Sequence, residues 1–283
     1  MDNDYWEIRD RNWGVLSKKE QHTLKGSSAI VIGLGCVGEL EAVMLARIGI
    51  GNLTIVDFDT LKKVNLNRNP FSTQSLLNRK KTKNIQELIA DIDPTIKTTV
   101  INKEITFGCE DLLNKGDVIL QAVDDMKSRI IIHRMVENTL NIPIVTMSGG
   151  PPNRSFVAVF DHKTDILYED FLKLNTSQFP DDFIQSDEFS REIRRKKCKR
   201  AEYSSQWGAV KEWKEKYVSG ERPIWAVTTI RPYLTAVISV NEVVKILLKK
   251  NNSVIVPNYY SLNLERIDSP IKLCSGNFNY FEY

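Results

Sequence analysis

Cysteine is scarce in this 283-residue chain, and its four copies, Cys36, Cys109, Cys198 and Cys274, form no CxxC pair. A disulfide framework and a four-cysteine zinc site are both excluded by that spacing. Histidine is rarer still, with three copies, and neither His133 nor His162 has an evident partner. No apolar run approaches the ~18–20 residues that a membrane helix needs. The opening MDNDYWEIRDRNWG is charged and lacks the apolar centre of a signal peptide, so a cytoplasmic, reducing setting is expected. Charge of one sign is also in short supply: Lys+Arg 39 against Asp+Glu 36 leaves +3. That balance excludes a dedicated nucleic-acid coat while leaving room for a local basic patch. With 42% hydrophobic and 27% charged residues, the chain can bury a core and is not disordered by composition.

What is present alternates. The apolar run SSAIVIGLG reads as a buried parallel strand, and residues 37–48 place Val37, Leu40, Met44, Leu45 and Ile48 at helical spacing before Gly49 and Gly51. NLTIVD is a second strand and 78–91 a second helix. Strands come next near 97–101, 117–123 and 143–148, with a helix over 128–140. Five alternations in 150 residues predict an α/β fold with a doubly wound, Rossmann-like and mostly parallel sheet. Beyond Pro151-Pro152 the pattern changes: a strand at 156–160 outside the parallel set, a polar and charged stretch at 161–222, a helix over 233–249 and short strands in the tail. The expected division is a core over 1–160, a helical insertion or lid over 161–229, and 230–283 completing the same body.

Gly33-Leu34-Gly35-Cys36-Val37-Gly38 is a G-x-G-x-x-G placed after a strand and opening a helix. Such a loop turns tightly and lets backbone approach a phosphate that the helix N-terminus stabilises. Asp57, 19 positions beyond Gly38 at a strand end, can accept from ribose hydroxyls. A nicotinamide dehydrogenase would show the same loop and the same carboxylate. The residues after Asp57 separate the cases. Asp59, Asn65, Arg68 and Asn69 crowd one strand-to-helix connection, Lys81 starts the next helix, and Asp124-Asp125 ends the next long strand. These positions ring one crevice in an open α/β sheet. Arg and Lys there can hold triphosphate oxygens and an Asp can hold Mg²⁺, whereas a dinucleotide has only a pyrophosphate to offer. Asp59 joins the nucleotide set or caps the turn after it.

These residues, from Gly33–Gly38 through Asp57-Phe58-Asp59, Asn65-Leu66-Asn67-Arg68 and Lys81 to Val123-Asp124, resemble the ThiF/MoeB/HesA family, prokaryotic relatives of the ubiquitin-activating enzymes. The resemblance covers roughly residues 5–160 and, more weakly, the late helix. It implies an ATP-dependent adenylyltransferase in which a substrate carboxylate attacks the α-phosphate and pyrophosphate leaves. Gly33, Gly35 and Gly38 would line the phosphate path and Asp57 would bind the ribose. Asn65, Arg68 and Lys81 would contact phosphates, with Lys80 adjacent to Lys81. Asp124 would serve Mg²⁺ and the reacting centre. Arg11, in DRNWG, matches an arginine that family members insert into the neighbouring subunit's site, which implies a homodimer.

The chain departs from the family at Asn69, where Gln is usual, and in lacking the two CxxC pairs of many members. Cys198, inside the run Arg194-Arg195-Lys196-Lys197-Cys198-Lys199-Arg200, lies where some relatives place an acyl-accepting cysteine; an ordinary cysteine on a basic helix is the alternative. Tyr203, Trp207, Trp213, Tyr217 and Trp225 either pack or anchor a bound chain. Three acceptors compete: a ribosomally made precursor peptide, as in relatives that build microcin C or pantocin A; a ubiquitin-like sulfur carrier; and a tRNA-linked carboxylate. The stand-alone chain with its unusual 161–222 region favours the peptide. A nicotinamide-dependent oxidoreductase remains as a different class, one that leaves Arg68, Lys81 and Asp124 unexplained.

Overall fold

β-Branched residues dominate the segments that become central strands, because their branched side chains suit a pleated surface buried on both sides. A computed structural model of the chain describes residues 2–139, 141–150, 154–161, 163–202, 211–222, 226–264 and 266–281. Five strands, β1 (Ser28–Ile32), β2 (Asn52–Val56), β3 (Lys97–Ile101), β4 (Val118–Gln121) and β5 (Ile144–Gly150), pair in parallel. Ile30 stands between Thr54 and Ile119 in this register. β6 (Arg154–Phe160), β7 (Asn258–Asn263) and β8 (Ile271–Ser275) extend the same sheet antiparallel. The strand order is β3-β2-β1-β4-β5-β6-β7-β8. The order of succession therefore reverses between the parallel neighbours β1 and β4, the switch point where ligands of open α/β sheets bind at the carboxyl ends.

The helices are α1 (Asp2–Ile8), α2 (Lys18–Gly26), α3 (Cys36–Ile48), α4 (Lys81–Ile92), the short α5 (Glu110–Leu113), α6 (Met126–Thr139), α7 (Tyr168–Phe171), α8 (Asp181–Gln185), α9 (Asp187–Glu202), α10 (Lys211–Ser219) and α11 (Ile230–Leu247). Alternate strand residues split between two cores. Ala29, Val31, Leu53, Ile55 and Leu120 meet α3, α4 and α11. Ile30, Ile32, Ile119 and Phe156 meet α6, α7 and the inner face of α9 through Ile130, Phe171 and Ile193. The period of two along each strand sends neighbours to opposite faces, which is why both faces must be covered.

Among the boundaries that differ from the sequence expectation are three helix starts. α4 begins at Lys81 rather than 78, because Asn78 adopts a left-handed φ of 66° and Lys80 pairs with Thr60 in an isolated bridge. α6 begins at Met126 rather than 128, with Asp125 accepting from Ser128 N at 2.9 Å as its cap. α11 begins at Ile230 rather than 233, since Pro232 falls in the first turn where no N–H is required. The N-terminal pieces are pinned by a buried arginine: Arg9 Nη1 lies 2.5 Å from Asp93 and Nη2 donates to Ala46 O at 2.7 Å. Arg11, on the neighbouring 3₁₀ turn Asp10–Asn12, is exposed.

Candidate nucleotide and acceptor crevice

The glycine turn after β1 is shaped by sterics. Gly33 has φ +92°, and a Cβ on Gly38 would fall 1.8 Å from the Gly33 carbonyl oxygen; only glycine allows the first turn of α3 to approach so closely. Above Gly35 a Cβ would meet nothing within 4 Å, and Gly35 offers no side-chain cap to α3. The free N–H groups of a 13-residue helix thus face open space, a cradle that a phosphate fits. Asp57, at the end of β2, holds this turn: Oδ2 accepts from Leu34 N at 2.7 Å and Oδ1 from Asp59 N at 2.7 Å.

The Asp59 side chain was expected to join the nucleotide set or to cap the turn after it. The Asp59 carboxylate lies 2.9 Å from Lys81 Nζ, with Asp57 Oδ2 at 3.6 Å from the same nitrogen. Lys81 is buried, whereas Lys80 is exposed and donates to Phe58 O. Arg68 Nη1 donates to Val64 O and Asn67 Oδ1 at 3.0 and 2.8 Å, which aims the guanidinium along the loop. Asn65 Oδ1 accepts from Lys62 N at 2.9 Å. Asn67 reaches across to Val227 O, just before α11.

Gly33, Gly35, Asp57, Asp59, Asn65, Arg68, Lys81 and Asp124 line one crevice of about 540 Å³, within the ordinary range of small-molecule sites. Gly38 shapes it from below, Asp124 is exposed on it, and Arg11 does not line it. Asp125, grouped with Asp124 by sequence, is committed to the α6 cap. Asp124 and Glu104 are exposed carboxylates on this lining; one or two carboxylates beside substrate phosphates are a donor set that could hold Mg²⁺.

Glu39, Arg129 and Arg231, also at the site, carried no recognisable sequence signal. Glu39, buried in the first turn of α3, accepts from Asn69 Nδ2 at 2.7 Å, Ser72 Oγ at 3.0 Å and Phe71 N at 3.3 Å. Burial pushes its carboxyl up against these hydrogen bonds, and the set ties the Arg68 loop to the glycine turn. Asn69 thus serves the site from beneath. Arg129 is 3% exposed, donates Nε–H to Val123 O at 2.8 Å, and has no hydrogen-bond partner at Nη1. Arg231, on the first turn of α11, presses against β5, where a Cβ on Gly149 would sit 1.5 Å from its Nη1. Cys36 also lines the crevice, with burial pushing its thiol up, the opposite of an activated nucleophile.

The basic run is not a uniformly solvated face. Arg194 and Lys197, one turn apart on α9, line the crevice. Lys197 Nζ donates to Asp124 O at 3.1 Å, and Arg194 Nε is buried without a partner. Arg195 points outward and Lys196 pairs with Glu192 at 2.7 Å. Trp213 and Tyr217 stack on each other, and Tyr217 is buried, so Tyr217 packs the insertion rather than anchoring a partner. His133 is buried in a stack with Tyr168, 3.8 Å between centroids, away from the crevice. Tyr203, Trp207, Trp225, His162, Pro151 and Pro152, with the side chains of Cys198, Lys199 and Arg200, lie outside the described residues.

A glycine turn opening a helix, an acidic strand end and a cation-lined crevice at the strand switch define a nucleotide-binding α/β protein. The chain belongs to the ThiF family, whose sequence profile matches residues 8–276. It is 31% identical over 130 residues to the sulfur carrier protein ThiS adenylyltransferase of Escherichia coli, covering 46% of this chain and 51% of that one. It is 29% identical over 141 residues to the tRNA threonylcarbamoyladenosine dehydratase of Haemophilus influenzae, covering 49% and 54%. The chain thus spans about half the length of these curated relatives. Among solved structures, E. coli MccB with ATP superposes with a TM-score of 0.68 at 15% identity, covering 92% of this chain and 67% of that one; that likeness is one of fold. Among the described residues no helix is long and apolar enough to cross a membrane.

Proposed function

We propose that this chain is a cytoplasmic, ATP-dependent adenylyltransferase that activates a carboxylate of a ribosomally made precursor peptide, leading to a modification such as cyclisation. The observation that carries the reading is the convergence of Lys81 and Arg68 with the open α3 N-terminus and the exposed Asp124 carboxylate in one crevice. A dinucleotide pyrophosphate would leave much of this set without a role. Family membership and the fold shared with MccB, solved with ATP and with AMPCPP and MccA, support the peptide class.

Asp57 takes a ribose hydroxyl on lone pairs left over from Leu34 and Asp59. Gly33, Gly35 and Gly38 give the phosphates access to the α3 N–H groups. Asn65, Arg68 and Lys81 hold phosphate oxygens, with Lys81 drawn from Asp59 by the greater charge of the triphosphate. Asp124 would hold Mg²⁺, which neutralises charge on the phosphate oxygens. The acceptor carboxylate oxygen attacks the α-phosphorus. The bond from that phosphorus to the oxygen bridging it to the β-phosphate breaks, and pyrophosphate leaves with the electron pair. No protein nucleophile is needed; catalysis is positioning and charge stabilisation.

A homodimer completes the site, with Arg11 entering the neighbour's crevice. Trp13 and Val15 beside it are 70% and 86% exposed, and Ile230, Tyr233 and Val237 form an exposed apolar stripe on α11, surfaces suited to a second copy. The core, insertion and C-terminal segments act in this reading as one body. The deciding experiment is pyrophosphate release with Mg-ATP and candidate precursor peptides, beside thermal shifts with Mg-ATP and NADH. Stabilisation by NADH alone would end the adenylation reading. Turnover with a sulfur carrier or with total tRNA, and none with peptides, would replace the acceptor.

A further inference from the structure

Asp124 stands on a backbone that is held from both sides. The peptide groups before and after its Cα present the carbonyl oxygens of Val123 and Asp124. Arg129 Nε–H donates to Val123 O at 2.8 Å, and Lys197 Nζ donates to Asp124 O at 3.1 Å. Between two planar peptide groups a residue has only φ and ψ to turn. With both planes tied to a cation, the direction in which Asp124 projects its side chain is set, although the carboxylate itself is exposed.

The two ties differ in origin. Arg129 lies in the first turn of α6, the helix that follows Asp124 directly. Lys197 comes from α9 of the insertion, 73 positions away. Phe189, Ile193 and Lys197 recur at every fourth position and so share one face of that helix. Phe189 and Ile193 are sunk in the core that also holds Ile130 of α6, and the same face carries Lys197 to the crevice, where it is 7% exposed. A donor withdrawn from water to that extent needs an acceptor to offset its burial, and the Asp124 carbonyl supplies one. A second contact joins the far end of the insertion to the β2 wall. Arg68 Nη1 donates to Asn67 Oδ1 at 2.8 Å, and Asn67 Nδ2 donates to Val227 O at 3.3 Å.

Resting on the adenylation reading, we propose that Lys197 and Asn67 are positioning residues through which the insertion holds Asp124 and Arg68 in place for Mg-ATP. Each acts through the residue it holds, Lys197 on the backbone that aims the Asp124 carboxylate and Asn67 on the Arg68 guanidinium. The insertion is then part of the framework of the nucleotide site. Displaced from α6, it would leave Asp124 with one tie instead of two, while Arg195 and Lys196 on its outer face take no part.

The test is a pair of double-mutant cycles on the full chain, read by titration calorimetry with AMPCPP in Mg²⁺ and in EDTA. K197M should weaken Mg-AMPCPP about tenfold, the scale of losing a residue that orients a metal ligand, and leave metal-free AMPCPP within about twofold. In the D124A background K197M should have no further effect, because a residue that acts through Asp124 then has nothing to hold. K197R, which keeps a donor, should retain most of the affinity, and the outer-face variant R195Q/K196Q should behave as wild type. N67A should weaken AMPCPP about threefold with or without the metal, and no further in the R68A background. Additive losses in K197M/D124A, or an equal loss for metal-free AMPCPP, would make Lys197 a direct phosphate ligand and overturn the proposal. Wild-type affinity in K197M would overturn it too. Thermal midpoints check the fold. If K197M does not fold, K197Q takes its place in the cycle, and failure of both to fold makes Lys197 a structural residue and ends the proposal. Because binding is read without turnover, the two readings fail separately. A chain that passes both cycles but never releases pyrophosphate refutes adenylation, whereas pyrophosphate release with additive cycles refutes only the positioning role.

Discussion

The crevice wall after β2 takes the residues proposed for ribose and phosphates from one stretch of chain, Asp57 to Lys81, whereas the wall after β4 is gathered from positions between 124 and 231. The first is nearly neutralised before any ligand arrives: Lys81 already lies 2.9 Å from Asp59 and 3.6 Å from Asp57. The second holds Arg129 and Arg194, each with a buried nitrogen that has no hydrogen-bond partner. A pre-paired wall exchanges one set of partners for another when phosphate enters, so its residues stay ordered without ligand. A buried donor without a partner costs free energy that a bound acceptor group relieves. The difference shows how one sheet can carry donors that the chain itself pairs beside donors left open to a ligand.

The largest effect is expected on the residues proposed for phosphate and metal. Arg68→Ala and Asp124→Ala should each lower pyrophosphate release by about 10²–10³-fold, the scale of losing one charge-stabilising group, with circular dichroism unchanged because neither side chain is core. Near-normal turnover in both variants would sink their assignment.

The foundation common to both walls is the packing of α3 on α11, and Glu41 is buried there. Burial pushes its carboxyl up to about 8, with Ser239 opposing weakly. Below about pH 4.5 folded and unfolded chains both hold the proton. As pH rises towards 8 the unfolded chain releases it and the folded one does not, so stability falls through that window. Glu41→Gln should remove up to ~1.4 kcal/mol per pH unit of this decline. Part of the slope should remain, because burial also raises Glu137, to about 7. Urea unfolding at pH 5 and pH 8 measures the difference; identical slopes in variant and wild type would show that Glu41 is not held protonated.

A smaller effect sharpens the comparison from beneath the first wall. Asn69→Ala leaves the buried Glu39 carboxylate short of a donor and should cost about 1–3 kcal/mol, with Mg-ATP affinity falling and precursor-peptide affinity holding. The converse test lies under the second wall. Gly149→Ala collides with Arg231 and should weaken precursor-peptide binding by about tenfold while Mg-ATP binding stays near wild type. If both changes weakened both ligands equally in titration calorimetry, the walls would not be separable.

Much of this protein was determined by the sequence alone. Periodicity and glycine placement specify the strand–helix alternation of the doubly wound half, because buried parallel strands and amphipathic helices have short, local signatures. The glycine turn, Asp57, Asn65, Arg68, Lys81 and Asp124 were legible because they lie in order along one connection and at one strand end. Tertiary structure alone decided which neighbours face the crevice: Lys81 enters it while Lys80 does not, Asp59 turns to Lys81, and Asp125 caps α6 beside the open Asp124. It alone turned Arg194 and Lys197 inward from a run that reads as a solvated basic helix, and set Arg231 against Gly149. The physical reason is range. Turn sterics and hydrophobic period act over a few residues, whereas the direction of a cation is settled by burial and by partners more than seventy positions away, as Lys197 on Asp124 O shows.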